Sequence, residues 1–447
     1  MTEGKPRLMV LTDIGGDPDD EQSLVRLLTY ANEVEIVGIV PEMWARHKGR
    51  HGVLTPESQM NVVFEAIDLY GQVKDNLSLH AEGYPEADAL KAVVKRGMVD
   101  VEFTLDKDEP DEVWQWIGEG KDTEGSEWII EVVDQDDPRP VDVNVWGGTA
   151  DLAQALWKVR ETRSANQLSE FVSRIRVHAI ADQDDTGPWL REEFPDLFYI
   201  FNMAPDGNKW HACFRGMFLG GDESITSLAW LDEHVREGHG PLGAFYAPKT
   251  HTASNPHKAL KEGDTPSWFY FLENGLNIPG EPSAGGWGGR FARNDTFWQD
   301  AEDTVGDETS GIATTWRWRP AFQNAFQARM DWCVKGYGGA NHAPDVVVND
   351  NAGRGLIRVT ANPGEKVVLS AEGSTDPDGD TLSFHWYVYR EAGLFDGEVL
   401  IEGADEASSS FVMPDAKPGE TIHIVLEVTD DGDPPLTSYR RVVVIAS

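Results

Sequence analysis

Two cysteines in 447 residues, Cys213 and Cys333, are too few for a disulfide-stapled scaffold and form no recognisable metal or redox pattern. Whether they pair or lie buried is left open by the sequence. Positive charge is also scarce. Thirty-eight Lys and Arg stand against 77 Asp and Glu, a formal net charge of −39, which argues against nucleic-acid backbones and anionic membrane surfaces as partners. Such acidity suits a saline habitat, and equally any acidic soluble protein. No apolar run approaches the length of a membrane span. Met1-Thr2-Glu3-Gly4-Lys5 leads into the first strand without the apolar segment of a signal peptide. What is present is 40% hydrophobic residues, enough for a real core. The length suits two domains, or one large domain with an appendage.

The chemistry concentrates in Thr12-Asp13-Ile14-Gly15-Gly16-Asp17-Pro18-Asp19-Asp20. The apolar run Leu8–Leu11 before it reads as a buried parallel strand, and Leu24, Val25, Leu27 and Leu28 after it recur at helical spacing. Four carboxylates thus sit on a loop at the C-terminal end of a strand, where open α/β sheets place their ligands. Crowded anions of this kind repel unless a cation holds them, and hard oxygen ligands suit Ca²⁺. The alternative is a solvated acidic turn at a helix N-terminus.

Strand and helix patterns then alternate as a parallel sheet requires. Val34–Val40 is a strand that ends in Pro41–His47; helices are expected over Pro56–Tyr70 and Pro85–Arg96. An acid-rich loop covers Asp106–Glu127, and Ile129–Val133 fits a helix end or a short strand. Further strands are expected at Val141–Trp146, Ile175–Ala181 and Leu197–Phe201, with helices at Leu152–Arg160 and Gln167–Val172. Each strand delivers polar residues just past its last apolar position. This should bring the cluster at 182–185 towards the one at 13–20 and nominates Asp182, Asp184 and Asn202 as substrate contacts. Between Gly238 and Phe297 the alternation fades, and His251, His257, Trp268 and the run Gly285-Gly286-Trp287-Gly288-Gly289-Arg290 appear. Aromatic residues among glycines suit sugar stacking as well as loop packing, so Trp287 and Arg290 join the substrate-binding candidates, ahead of Trp44 and Trp189. The tract from Thr314 to Trp332 has helical character and is expected to close the domain against the sheet.

Lys335–Pro344 carries the Gly and Pro of a linker, which divides the chain into 1–337 and 338–447. A cut between Gly336 and Ala343 is expected to release two folded pieces. Beyond it the pattern is all-β, with strands at Leu356–Thr360, Lys366–Ala371, Leu382–Tyr389, Ser408–Val412, Thr421–Val428 and Tyr439–Ile445, as in a sandwich. Gly373–Asp380 followed by Trp386, and later Val428–Asp433, resemble polycystic-kidney-disease and cadherin-like modules. The Asp378-Gly379-Asp380 turn is a second place for Ca²⁺, although a plain tight turn is the preferred reading.

The opening loop also resembles that of nucleoside hydrolases, which begin with a strand and D-x-D-P-G-x-D-D where this chain has D-I-G-G-D-P-D-D. Val143–Ala153 is similar to that family's strand followed by G-P-L-T-N-I-A, and Gly263-Asp264-Thr265-Pro266 stands where the family carries H-D-P. The whole chain more closely resembles a branch of cellulose-binding proteins, with a nucleoside-hydrolase-like domain and a C-terminal immunoglobulin-like domain. The resemblance implies an α/β fold with an open, mostly parallel sheet flanked by helices, plus an all-β immunoglobulin-like sandwich. It implies Ca²⁺ held by Asp20, the main-chain carbonyl of Ala150 and Asp264, with Asp13 orienting or joining the set and Asp19 bonding a sugar hydroxyl. It also implies water activated at that site for attack on an anomeric carbon. The branch is typically exported, which suggests a secreted or periplasmic protein; the chain alone leaves a cytoplasmic one open, and equally a homo-oligomer.

Two departures matter. The family's middle acid, ligand and base, falls on Gly15, while Asp17 is an extra acid two positions later and becomes the candidate general base. The family's His before the late Asp is Gly263, which argues against a standard purine or inosine hydrolase. A sugar leaving group would need a proton donor, with Asp182, Asp184 and Glu262 as candidates. Three functions are compatible: a Ca²⁺-dependent hydrolase of glycosidic bonds in plant or algal cell-wall oligosaccharides, an N-ribosyl hydrolase, and a non-catalytic carbohydrate-binding protein.

Overall fold

The computed structural model describes residues 4–42, 48–49, 52–53, 55–98, 113–250 and 253–447. Trp44 and His251 fall outside them. The first apolar run forms β1 (Arg7–Thr12), with β2 (Glu35–Pro41), β3 (Val141–Val145), β4 (Ile175–Ala179), β5 (Phe198–Phe201), β6 (Phe291–Asn294) and β7 (Phe297–Asp300) in one sheet. The order is β2-β1-β3-β4-β5-β7-β6, parallel throughout except for the β6–β7 hairpin at one edge. Unbroken apolar strands are what a sheet buried on both faces demands. Along β1 the period of two is visible in the packing: Leu8 and Val10 enter one core, Met9 and Leu11 the other.

The first core lies under α1 (Asp19–Thr29) and α2 (Pro56–His80). Thr55 and Ser58 form a capping box at the start of α2, with Pro56 in its first turn. The helix runs ten residues beyond the expected end at Tyr70, because Val73 and Leu77 continue its buried face past Gly71. Conversely, the expected Pro85–Arg96 helix shortens to α3 (Ala87–Ala92). The second core is covered by α4 (Glu124–Val133), α5 (Ala150–Thr162), α6 (Ala165–Ser173) and α7 (Thr186–Glu193), so Ile129–Val133 is a helix end. Trp189 is buried there beside Phe194 and Arg160. The late tract forms helices Ala313–Trp316 and Arg319–Trp332. The longer one lies over α1 rather than on the sheet, and Arg26 donates to the Phe322 carbonyl at 3.0 Å. Cys213 and Cys333 are both buried and unpaired.

The C-terminal strands pair as a four-stranded sheet, Ile357–Ala361, Thr437–Ala446, Thr421–Thr429 and Ser383–Val388 in spatial order, and a two-stranded sheet of Lys366–Ser370 with Ser408–Val412. They enclose Trp386, Phe411, Ile424, Leu426, Val442 and Val444. Asp376 spends one carboxylate oxygen on the amides of Asp378 and Asp380, while Asp378 accepts the amide of His342 at 2.8 Å.

The sandwich is packed onto the α/β part through a buried face. Tyr389 and Tyr439 belong to the same core as Trp287, Trp318 and Phe322. Arg441, 1% exposed, donates to the carbonyls of Leu276 at 2.7 Å and Gly285 at 2.9 Å. Gly275 (φ +86°) is indispensable here, because a Cβ would sit 2.0 Å from the Tyr439 carbonyl oxygen. His342 is buried against Trp332 and Tyr337, with its Nε2 2.9 Å from His80 Nδ1. Cleavage in the exposed segment 335–339 should therefore leave the two parts associated, eluting together from a sizing column after limited proteolysis. Elution as two separate pieces would show that the interface does not hold them.

Candidate functional site

At the C-terminal edge of β1, Thr12 Oγ1 accepts the Ile14 amide at 3.1 Å and donates to the carboxylate of Asp20 in the first turn of α1. Asp19, Asp20 and Glu21 occupy the first turn of α1, where the helix dipole favours negative charge. The loop after β3 closes against this one at Gly147, where a Cβ would lie 2.9 Å from the Asp13 amide nitrogen. From the far side, Asp264 precedes the short helix Thr265–Phe269, its carbonyl bound by Ser267 Oγ at 2.6 Å. Trp146 holds that hydroxyl in turn at 3.0 Å.

The outcome is a trio: carboxylate oxygens of Asp19, Asp20 and Asp264 lie within 4.8 Å of one another, all buried. Asp264 Oδ2 has no hydrogen-bond partner among the described residues. Burial, then the charges of Asp13, Asp264 and Asp19, hold Asp20 well above the carboxylate range; burial, then Asp19, does the same to Asp264. Asp13 is pushed up to about 7 by burial and by Asp19. An acidic set this unfavourable to its own ionisation, with a buried oxygen unspent, fits a hard divalent cation.

Sequence reasoning missed the cation the chain itself supplies. Lys261 Nζ lies 2.7 Å from both Asp17 Oδ2 and Asp19 Oδ2. Burial opposes its charge, yet the two carboxylates hold it above the ordinary lysine value. Nothing in the spacing announces this, since Lys261 reaches the loop only once the chain before Asp264 has folded over α1. Gly263 leaves Asp19 and Phe214 close together: a Cβ there would be 3.2 Å from Asp19 Oδ2 and 3.4 Å from the Phe214 ring.

Glu42 was also missed. It stands immediately after β2, 4% exposed, with neither carboxylate oxygen partnered among the described residues. Burial, then Asp151 and Asp184, holds it well above the usual range. It lines a small cavity with Asp13, Gly148, Ala150 and Asp184. Its position just past a strand end was the available signal.

The second acidic cluster does converge on the first, but its carboxylates are already engaged. Asp184 accepts the amides of Thr149, Ala150 and Thr186 at 2.7, 3.1 and 2.9 Å, besides both threonine hydroxyls. It thereby fixes the start of α5 and the placement of Ala150. Asp182 is clamped by both terminal nitrogens of Arg191 at 2.8 and 2.7 Å. Asn202 is fully buried, bonded to His178, Asp300 and the Cys213 sulfur. Trp287 and Arg290 stand apart from the acidic loops. Trp287 packs against Phe269, Phe322 and Tyr439, and Arg290 binds Asp303, which also receives the Tyr389 hydroxyl. Both belong to the seam between the two parts of the chain, while Lys261 and Glu42 join the acidic pocket.

Comparison with known proteins identifies the family and the fold. Residues 7–291 match the family model "Cellulose-binding Sde182, nucleoside hydrolase-like domain", and residues 366–446 match "Cellulose-binding protein Sde0182, C-terminal domain". A nucleoside hydrolase-related hypothetical protein from Saccharophagus degradans, described as associated with carbohydrate metabolism, is 36% identical. The match covers 99% of this chain and 100% of that one, with a TM-score of 0.81. The PKD domain from the KIAA 1837 protein aligns at 21% identity over 20% of this chain and 78% of its own, with a TM-score of 0.16. A search of the curated proteins returns no match. No helix among the described residues is long and apolar enough to cross a membrane.

Proposed function

The chain belongs to the family of cellulose-binding proteins with a nucleoside hydrolase-like domain, and from that premise we propose that its acidic pocket is a divalent-cation-dependent site for a cell-wall saccharide. The observation that carries this reading is the buried trio Asp19, Asp20 and Asp264, with Asp264 Oδ2 unspent. Asp20 and Asp264 would hold Ca²⁺, with Asp13 and the Ala150 carbonyl beside them. When bound, the ion neutralises the trio and supplies open coordination positions for sugar hydroxyls. Asp19, its charge balanced by Lys261, offers an acceptor for a neighbouring hydroxyl. An extracellular location follows for a protein whose partner is a polysaccharide.

Hydrolysis of a glycosidic bond is the second reading, and Asp13 favours it. Its carboxyl lines the small cavity beside the trio, where a reacting water would sit. Asp17, nominated as base from sequence, is held by Lys261 instead. On this reading Asp13→Asn should cut turnover about a hundredfold or more and Asp17→Asn by less than about tenfold. The reverse order would return the role to Asp17. N-ribosyl hydrolysis is less well supported, because Gly263 replaces the family's histidine and its neighbours Asp19 and Phe214 leave little space there.

Calorimetric titration with cello-oligosaccharides in Ca²⁺ and in EDTA, run beside a reducing-sugar assay and a nucleoside panel, tests all three. Binding in Ca²⁺ without product supports the first reading, and no binding of any saccharide overturns it. Lys261→Gln supplies an independent check. Without the ammonium, Asp17 and Asp19 lose their compensation, so the metal-free protein should melt lower and the gain on adding Ca²⁺ should grow. An unchanged calcium response would mean that Lys261 and the cation site are uncoupled.

A further inference from the structure

Tyr30 lies just beyond the C-terminal end of α1, about 16 Å of helix away from the acidic loop at its start. There a cleft opens between the α/β part and the sandwich, with a volume of about 240 Å³, on the order of eight waters at liquid density. Glu33, Asn274, Trp287 and Trp332 line it from one side, Arg354 and Ser438 from the other. The Gly-rich run that carried Trp287 therefore delivers its indole to this cleft.

The chemistry of the walls narrows the occupant. Glu33 pairs with Arg329 at 2.8 Å and with Arg354 at 3.1 Å, and Glu273 also lines the cleft, so two carboxylates face two guanidiniums and neither an anion nor a cation is selected. Asn274 gives its carbonyl oxygen to the amides of Leu276 and Asn277, at 3.0 and 3.1 Å. Its Nδ2 is buried without an acceptor among the described residues, a donor whose burial is costly until an oxygen reaches it. Indole surface, one unspent donor and a carboxylate acceptor together match a neutral ring with apolar faces and hydroxyls on its edge.

We propose that this interdomain cleft is a second saccharide site, one that takes a neutral sugar ring without a cation. It rests on the reading of the protein as saccharide-binding, but not on the cation site. A ring seated here touches both parts of the chain, which gives the sandwich a share in recognition.

The test is calorimetric titration of the full chain with cellotetraose, in Ca²⁺ and in EDTA. Binding is expected to persist in EDTA and in Asp264→Ala. It should weaken at least tenfold in Ser438→Trp, which fills the cleft from the sandwich side. Should that variant fail to fold, Arg354→Ala, at the half-exposed mouth, should weaken EDTA-resistant binding about tenfold. Loss of all binding in EDTA overturns the cleft while leaving the cation site standing. EDTA-resistant binding unaffected by Ser438→Trp or Arg354→Ala also overturns it. Binding identical in Ca²⁺, in EDTA and in Asp264→Ala, with no calcium-dependent component, that falls in the cleft variants supports the cleft and refutes the cation site. No binding in any arm refutes both.

Discussion

Chelating Ca²⁺ at pH 7 should lower the melting temperature by about 3 °C, and the drop should shrink as the pH is taken down towards 4. A ligand at a hundred times its dissociation constant stabilises by about 2.7 kcal/mol, and each kcal/mol is worth about 1 °C in a chain of this size. The pH dependence follows from Asp13. Its carboxyl is raised in the folded protein from the ordinary 3.8 to about 7, by burial and by Asp19. The folded metal-free state therefore holds a proton that the unfolded chain releases near 3.8. That contribution is fully present below 3.8 and is lost as the pH rises through about 7. Asp20 and Asp264 are shifted in the same direction. Cation and proton compete for these oxygens, so calcium stabilisation must grow across the window from about 4 to about 7. Asp264→Ala removes one ligand and should flatten the calcium response at every pH. Melting temperatures indifferent to chelator at pH 7, or an equal calcium shift at pH 4.5 and pH 7.5, would refute the site.

The parallel sheet was legible because its strands are short apolar runs buried on both faces, each followed by polar residues at a strand end. The alternation of helices between them fixed the fold class, and the loop from Thr12 to Asp20 announced where ligands sit. The β6–β7 hairpin left no such trace: Arg293, Asn294 and Asp295 at its turn are exposed and carry no apolar period. The full length of α2 was hidden by Gly71, which reads as a stop but lies against Ala87 inside the helix.

Site residues divided along the same line. Asp13, Asp17, Asp19 and Asp20 are local in sequence, so their convergence was readable. Lys261 reaches the pocket through tertiary folding alone and no spacing encodes that, whereas Glu42 stands just past a strand end. Trp287 and Arg290 lie away from the acidic loops for a physical reason: glycines between aromatics serve a close interface as well as a sugar platform. At Gly288 a Cβ would lie 2.5 Å from the Pro266 carbonyl oxygen, so the run is glycine-rich to let chains touch.

Glu262→Gln should destabilise the protein by about 3–5 kcal/mol, read by urea unfolding. Glu262 and Arg26 are both completely buried and paired through two guanidinium nitrogens, Nε and Nη2. Tyr246 and Thr265 donate their hydroxyls to the same carboxylate, while Arg26 also holds the Phe322 carbonyl and Gln323. A glutamine keeps the shape but leaves the arginine charge buried without its counter-ion. The cost is mainly that of the stranded charge, so the double variant Arg26→Met/Glu262→Leu should recover a large part of it. The pair also has a positional consequence. It ties the segment bearing Lys261 and Asp264 to α1, whose first turn carries Asp19 and Asp20, and Glu262 adopts a φ of +43° to make that connection. Loosening it should therefore weaken the calcium response together with stability. A proton donor, the role the sequence left open for Glu262, would act differently: its glutamine variant would lose turnover while unfolding at the parental urea concentration. A loss below about 1 kcal/mol with calcium stabilisation intact would show that the opening loop and the late aspartate are held together by something other than this pair.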